Sequence, residues 1–317
     1  MLVDILHTLL EACILFFYIS ILFTIATSRE KVFSSAFYIL FISTGIADIM
    51  SIPFNFVLRL NTELSLGSEF RYIILYCVMG GRAVFAAHML GNTFITFNRF
   101  SSICLMHKYN KIWIRRNVFI TVAIQYGVSL AAVAYTASSG ILYSQSEDGT
   151  YKSQGIDPFV AMVTGCISLI IGVVCLVTSF VMNVKLFVAW RNLRKNKDRS
   201  TARHTEKGLL MYIVIAFTLM MAMWAVDILF AVSATTGNHE LFTWLNDYVF
   251  WINDFLVTVP PLSLTLFSAD LRHAILNIFL RVRVESPLFV TAVSFRGGIA
   301  RITTGAPSHR RNIVQLS

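Results

Sequence analysis

The sequence predicts an all-α protein, a seven-transmembrane helix bundle with its N-terminus outside and its C-terminus inside. Three observations carry that prediction. Apolar residues make up 56% of the 317 positions and charged residues only 14%, where a soluble domain carries about 25% charge. Mean hydropathy is +0.68, which excludes a soluble globular fold and disorder over the whole chain. The apolar residues fall into long uncharged runs, and the basic residues fall almost entirely on one side of them.

A membrane-spanning helix needs about 20 consecutive, mostly apolar residues. The first span, 4–27, rests on the uncharged run Ala12 to Ser28. It has no basic segment before it and carries Asp4 and Glu11, so it reads as a span and not as a cleaved signal peptide. The second, 33–60, is uncharged from Val32 to Ala47 and is then broken only by Asp48 before Arg59. The third, 72–104, contains Arg82, His88 and Arg99 in an otherwise apolar stretch. The fourth, 116–142, is uncharged from Asn117 to Ser146, the fifth, 157–190, from Pro158 to Val184, and the sixth, 206–235, from Gly208 to Val226. The seventh, 242–268, contains Asp247 and Asp254. None of the runs alternates over ten residues, which excludes barrel strands.

With the N-terminus outside, the inner segments 28–32, 100–116, 191–207 and 269–317 hold 20 Lys and Arg, and the outer segments hold only Arg71 and Lys152. That asymmetry orients the bundle. The net charge of +9 is therefore a topology signal facing anionic lipid, with no nucleic-acid affinity implied. After the seventh span, 269–283 places Leu271, Ile275, Ile278 and Phe279 near helical spacing among Arg272, His273, Arg281 and Arg283. This is the pattern of an amphipathic helix on the membrane surface. Residues 1–283 thus form the receptor-like domain. From 284 to 317, where Gly, Pro, Ser and Thr become frequent, the sequence predicts a disordered inner tail with phosphorylation candidates at Ser294, Thr303, Thr304 and Ser308.

The chemistry is then narrowed by what is missing. No two of the seven histidines lie three to five residues apart, so no helix-borne zinc pair is expected, and the five cysteines show neither metal nor disulfide spacing. The seventh span has no lysine for a Schiff base. No nucleophile elbow or catalytic triad stands out, and no inverted repeat suggests a transporter. The sequence therefore predicts no enzyme, no cofactor and no metal. A channel or transporter with a continuous polar path stays open as the alternative, as does a non-binding subunit of a heteromeric receptor.

The third span ends Asn98-Arg99-Phe100, followed by Tyr109 and Trp113 in the next loop. With Phe37-Tyr38, Leu40-Phe41, Ile46 and Asp48 in the second span, and Pro260-Pro261, Ser268 and Arg272 around the end of the seventh, the chain resembles the nematode serpentine chemoreceptors. The resemblance covers residues 10–280 and points to class gamma (Srg) or the related class V (Srv). It implies a G-protein-coupled-receptor-like bundle in the plasma membrane, often on sensory cilia. It also implies a small chemical cue outside and a heterotrimeric G protein inside. The likeness to rhodopsin-like receptors is looser. Arg99 matches their inner arginine, with Asn98 in place of the acid. Asp48 matches their second-helix acid, Trp224 the sixth-helix tryptophan without its proline, and Pro260 the seventh-helix proline.

Charges at membrane depth need partners. Arg82 lies about 25 Å above Arg99 at 1.5 Å per residue, and Asp227 about 31 Å above Glu206. Arg82 is expected to pair with Asp227 or Asp254, either as the polar part of a ligand cavity or as a structural ion pair. Trp224 and Trp251 are the aromatic candidates for that cavity. His88, about 17 Å above Arg99, is expected to meet Asp48 in a buried polar contact. The alternative is that Asp48 bonds only to nearby Ser or Asn groups. Asp48, His88, Arg99 and Glu206 form the candidate switch, with Arg99 bonded to Glu206 in a resting state. A glutamate favoured by the helix dipole is the simpler explanation of Glu206. Arg99, Tyr109, Lys111, Arg194 and Lys195 are the candidate G-protein contacts, against the simpler reading of 191–207 as a solvated positive-inside loop.

Overall fold

A computed structural model describes residues 2–28, 30–64, 66–145, 151–195, 202–236 and 238–285. Residues Met1–Ile278 form one compact unit, and Phe279–Ser317 a second. The described residues are almost entirely helical: α1 Leu2–Thr27, α2 Ala36–Leu64, α3 Arg71–Cys104, α4 Met106–Ile112, α5 Arg115–Val133, α6 Pro158–Lys195, α7 Ala202–Thr236, α8 His239–Phe267 and α9 Ala269–Glu285. Seven of them, α1, α2, α3, α5, α6, α7 and α8, are long and apolar enough to cross a membrane. They coincide with the seven expected spans, so this is a multi-pass membrane protein. Long runs without charge can satisfy their backbone in lipid only as helices.

The spanning helices close into a ring. Helix α1 packs on α2 and α8, α2 on α5, α5 on α6, α6 on α7, and α7 on α8. Helix α3 runs through the middle, against α2, α5, α6 and α7. Its 34 residues make about 51 Å of helix at 1.5 Å per residue, longer than a bilayer core, so it links the polar features of both ends. Pro53 interrupts α2, and Pro260 and Pro261 interrupt α8. Each withdraws one N–H from the helical ladder, a feature spanning helices tolerate where side-chain hydroxyls and neighbours compensate. Beside the paired prolines, Ser263 Oγ donates to the Pro260 carbonyl at 2.9 Å and Thr265 Oγ1 to the Pro261 carbonyl at 2.8 Å.

The largest core cluster joins α1, α2, α6, α7, α8 and the first turns of α9, with Tyr18, Phe37, Phe41 and Tyr212 at its centre. Phe37 and Phe41 meet Tyr212 edge-on at 5.9 and 6.0 Å between centroids, a favoured aromatic geometry. Leu271 and Ala274 of α9 are buried in this cluster and Ile275 packs against it, which accounts for the first part of the apolar spacing read from 269–283; the side chains of Ile278 and Phe279 lie outside the described residues.

Lipid supplies no hydrophobic drive between helices, so small residues and interhelical hydrogen bonds hold the bundle. Gln125 of α5 accepts from Ser43 Oγ of α2 at 3.1 Å and donates to the Ala87 carbonyl of α3 at 2.9 Å. Tyr126 donates to the Ser43 carbonyl at 2.6 Å. At this junction Gly91 of α3 faces Thr44 and Gln125 so closely that an added Cβ would overlap both. Gly91→Ala is therefore expected to destabilise the purified protein by about 1–3 kcal/mol through overpacking. Thermal unfolding in detergent measures it, and a Tm equal to the wild type would show that the helices separate here without cost.

One element departs from the sequence reading. The fourth span, expected to run to 142, ends as a helix at Val133, continues as a 3-10 turn Ala134–Ser138 and gives way to β1 Ile141–Gln145. This strand pairs antiparallel with β2 Tyr151–Ile156, with a bulge between Leu142 and Tyr143. Ile141 and Ile156 are partners across the hairpin and pack on Ile74 and Val160. In the sequence the apolar Ile141-Leu142-Tyr143 extends the preceding hydrophobic run, because short apolar runs carry no periodicity that separates strand from helix. Of the expected tail, 284–317, Val284 and Glu285 continue α9, and 286–317 lies outside the described residues.

Candidate functional site

At mid-bundle Asp48 of α2 is 2% exposed and takes two hydrogen bonds. Tyr18 of α1 donates its hydroxyl to Oδ2 at 2.6 Å, and His88 Nδ1 of α3 lies 2.5 Å from Oδ1. His88 and Asn92 are four residues apart on α3 and therefore on one face. Asn92 Nδ2 stands 2.8 Å from His88 Nε2. With the amide nitrogen toward Nε2, the amide donates when the imidazole is neutral and carries its proton on Nδ1, facing Asp48; the donor and acceptor roles follow the tautomer. Asn92 Oδ1 has no hydrogen-bond partner. Turning the amide would present that oxygen to a protonated Nε2. Each protonation state of His88 thus has its own amide orientation, which couples α3 to the charge at Asp48. The Asp48–His88 contact is the one expected from their equal depth. Its partners Tyr18 and Asn92 were not anticipated.

Above this network lies a cavity of about 150 Å³ between α2, α3, α7 and α8. Its polar lining comes from Asp48, Ser51, Asn55, His88, Asp227 and Asn253, set among apolar side chains that include Phe85 and Phe230. Small-molecule sites have this character, mostly apolar with a few convergent polar groups. Asp227 of α7 reaches the cavity, and Arg82 of α3 interacts electrostatically with it. No ion pair within 4.0 Å joins Arg82 to a carboxylate among the described residues.

The other four candidates for a ligand cavity, Arg82, Trp224, Trp251 and Asp254, lie outside its lining, and helical phase is the reason. Successive residues turn by about 100° on a 3.6-residue helix. On α8, Ile252, Asn253 and Leu256 face the cavity, which turns Trp251 and Asp254 toward α1. There Asp254 Oδ2 lies 2.6 Å from His7 Nε2 and Trp251 stacks on the His7 ring, 4.0 Å between centroids and 15° between planes. Trp224 packs over Gly172 of α6 with Met89, Cys175 and Met220. Asp254 is thus taken up by His7, and Arg82 has an electrostatic interaction with Asp227 but, among the described residues, no ion pair with either carboxylate.

At the opposite end of α3, the Arg99 guanidinium sits over the Phe37 ring at 3.9 Å from the centroid, a cation–π contact. The loop residues singled out in the sequence fold back onto α3. Trp113 Nε1 donates to Ser101 Oγ at 2.6 Å, and Asn98 Nδ2 donates to the Tyr109 hydroxyl at 3.4 Å. The spacing works because α4 is a two-turn helix that brings Tyr109 and Trp113 back alongside Asn98 and Ser101. Tyr38 likewise meets Ser268, hydroxyl to hydroxyl at 3.2 Å, bridging α2 to the α8–α9 junction. Lys111 is exposed on α4. The side chains of Glu206, Arg194 and Lys195 lie outside the described residues, although their backbones continue α7 and α6.

A central helix whose His88 meets the buried Asp48 of α2, a mostly apolar cavity beside that pair and an arginine near the other end of the same helix, all within a ring of six helices, make up a seven-transmembrane bundle. The chain belongs to the serpentine type 7TM GPCR chemoreceptor Srv family, whose sequence profile matches residues 8–280. Of the two classes that the sequence motifs point to, class V is the one matched. No curated protein matches the chain.

Proposed function

We propose that the protein is a plasma-membrane chemoreceptor that binds a small extracellular molecule in the cavity between α2, α3, α7 and α8 and signals to a heterotrimeric G protein. The N-terminus and the β-hairpin lie outside, and α4, Arg99 and the basic segment after α6 lie inside. The observation that supports this reading best is the cavity itself. It places Asp227, Asn253 and Asn55 among apolar walls directly above the Asp48–His88 pair. A ligand there touches α7 and α8 and biases the arrangement of the polar network beneath it. Two global states with different affinity for the ligand are all that transmission needs. Arg99, at the far end of the same α3, carries the bias to the inner face, where Tyr109, Lys111, Arg194 and Lys195 offer the contacts for a G protein. Glu206 is the proposed resting partner of Arg99.

A small-molecule screen with nucleotide exchange as readout tests the function, with Arg99→Ala as the uncoupled control. Ligand-dependent current or uptake without exchange would replace the receptor by a channel or transporter. For a responding ligand, Asp227→Asn is expected to raise the half-maximal concentration about 10- to 100-fold at unchanged surface expression. That is the range of one lost hydrogen bond to a charged group, about 1.5–3 kcal/mol. An unchanged dose response would remove Asp227 from the site.

A further inference from the structure

A second cluster of ionisable groups lies apart from the cavity, where the start of α1, the end of α2 and the first half of α8 meet. His7 and Glu11 are four residues apart on α1 and share a face, and both are 3% exposed. Asp254 of α8, 4% exposed, reaches between them. His7 Nε2, a Glu11 oxygen and an Asp254 oxygen all lie within 4.8 Å of one another. His7 Nε2 is 2.6 Å from Asp254 Oδ2 and 3.9 Å from Glu11 Oε1. Glu11 Oε1 is buried with no hydrogen-bond partner, a costly state for a carboxylate oxygen. The other oxygen, Oε2, accepts from Arg59 Nη2 at 2.7 Å. Arg59 thus fixes the carboxylate with its free oxygen turned toward His7, as outer partners orient ligands in metal sites.

We propose that His7, Glu11 and Asp254 bind a first-row divalent cation of the Zn²⁺ type, which ties α1 to α8. One nitrogen and two carboxylate oxygens suit Zn²⁺, and imidazole selects against Ca²⁺ and Mg²⁺. A tetrahedral ion with bonds of about 2.1 Å separates its ligand atoms by roughly 3.4 Å. The two His7 distances bracket that spacing, so the His7–Asp254 pair has to open and the His7–Glu11 pair to close. Charge points the same way. With His7 neutral, the buried carboxylates of Glu11 and Asp254 stand against the single guanidinium of Arg59. The net negative charge left in the buried cluster is one that a cation offsets. Stacking on Trp251 holds the imidazole plane in place. The sequence expects no metal because no two histidines are close in it, and the third ligand lies 247 residues from the first.

Co²⁺ titration of the full chain in detergent tests the site. The expected result is a saturable visible ligand-field band at one equivalent, displaced by Zn²⁺, together with a Zn²⁺-dependent rise in melting temperature. Glu11→Gln and Asp254→Asn should each weaken Co²⁺ binding about tenfold or more. His107→Ala, exposed on α4, should leave it unchanged. If the variants fail to fold, the wild-type titration decides alone. Absence of both the band and the melting shift would overturn the site. So would a thiolate charge-transfer band, which would place the ion on a cysteine, or a band that both carboxylate variants leave unmoved.

Discussion

Asp48→Ala is expected to destabilise the detergent-solubilised protein by about 3 kcal/mol or more, seen as a lowered melting temperature and reduced folded yield. The substitution removes the acceptor for two buried donors at once, the Tyr18 hydroxyl and the His88 Nδ1–H. Each donor stranded in an apolar interior costs about 1–3 kcal/mol. The geometry leaves them poorly placed to find replacements. His88 is 7% exposed and its other nitrogen is engaged by Asn92. Tyr18 is 1% exposed among Ile21, Leu22 and Phe41. Asp48→Asn is expected to cost less, because its amide oxygen still accepts one bond and the Tyr18 hydroxyl can rotate to accept from the amide. Tyr18→Phe should cost about 1 kcal/mol, the net worth of one hydrogen bond. The order Ala, then Asn, then the Tyr18 variant is the signature of a network centred on the carboxylate. An Asp48→Ala protein that melts within about 1 kcal/mol of the wild type would show that the donors have other partners. In that event the proposed conversion of ligand binding into a change at α3 would lose its centre.

The sequence made the bundle legible because a bilayer reduces the problem to length and charge. Every span was found, and only one boundary moved far, at the fourth, where a strand's apolar residues extended the run. Depth was also legible, since helical rise converts residue number into height. That is why Asp48 and His88 could be paired from the sequence. Azimuth was not. Whether Asp254 faces the cavity or α1 depends on which side of α8 meets which neighbour, and no local pattern states it. Trp224 and Trp251 failed to reach the cavity for the same reason. The sequence reading gives His7, Glu11 and Arg59 no role in a site. Their cluster is assembled by contacts across 48 and 247 residues, and the sole local hint is the four-residue step from His7 to Glu11.

Arg59→Met is expected to destabilise the protein by about 3–5 kcal/mol, and the further change Glu11→Leu is expected to recover most of that loss. Arg59 is 5% exposed and Glu11 3%, so their 2.7 Å ion pair is a buried one. Desolvating two such charges offsets most of their attraction, and a buried pair is worth little against apolar residues of similar volume. Breaking it from one side is a different matter, because the remaining charge is left buried and uncompensated. Arg59 also donates to Thr8 Oγ1 at 2.9 Å, which the methionine cannot replace, so recovery should stop short of the wild type. A double-mutant cycle by denaturant or thermal unfolding measures the coupling. Glu63, at 3.9 Å and with a 34% exposed side chain, contributes little, since a partly solvated pair is screened and worth about 0–1 kcal/mol. Glu63→Gln therefore serves as the internal control and should be near neutral. Strictly additive losses for Arg59→Met and Glu11→Leu would mean that the two charges do not depend on each other. The junction of α1 and α2 would then be held by packing and the Tyr18–Asp48 hydrogen bond rather than by this ion pair.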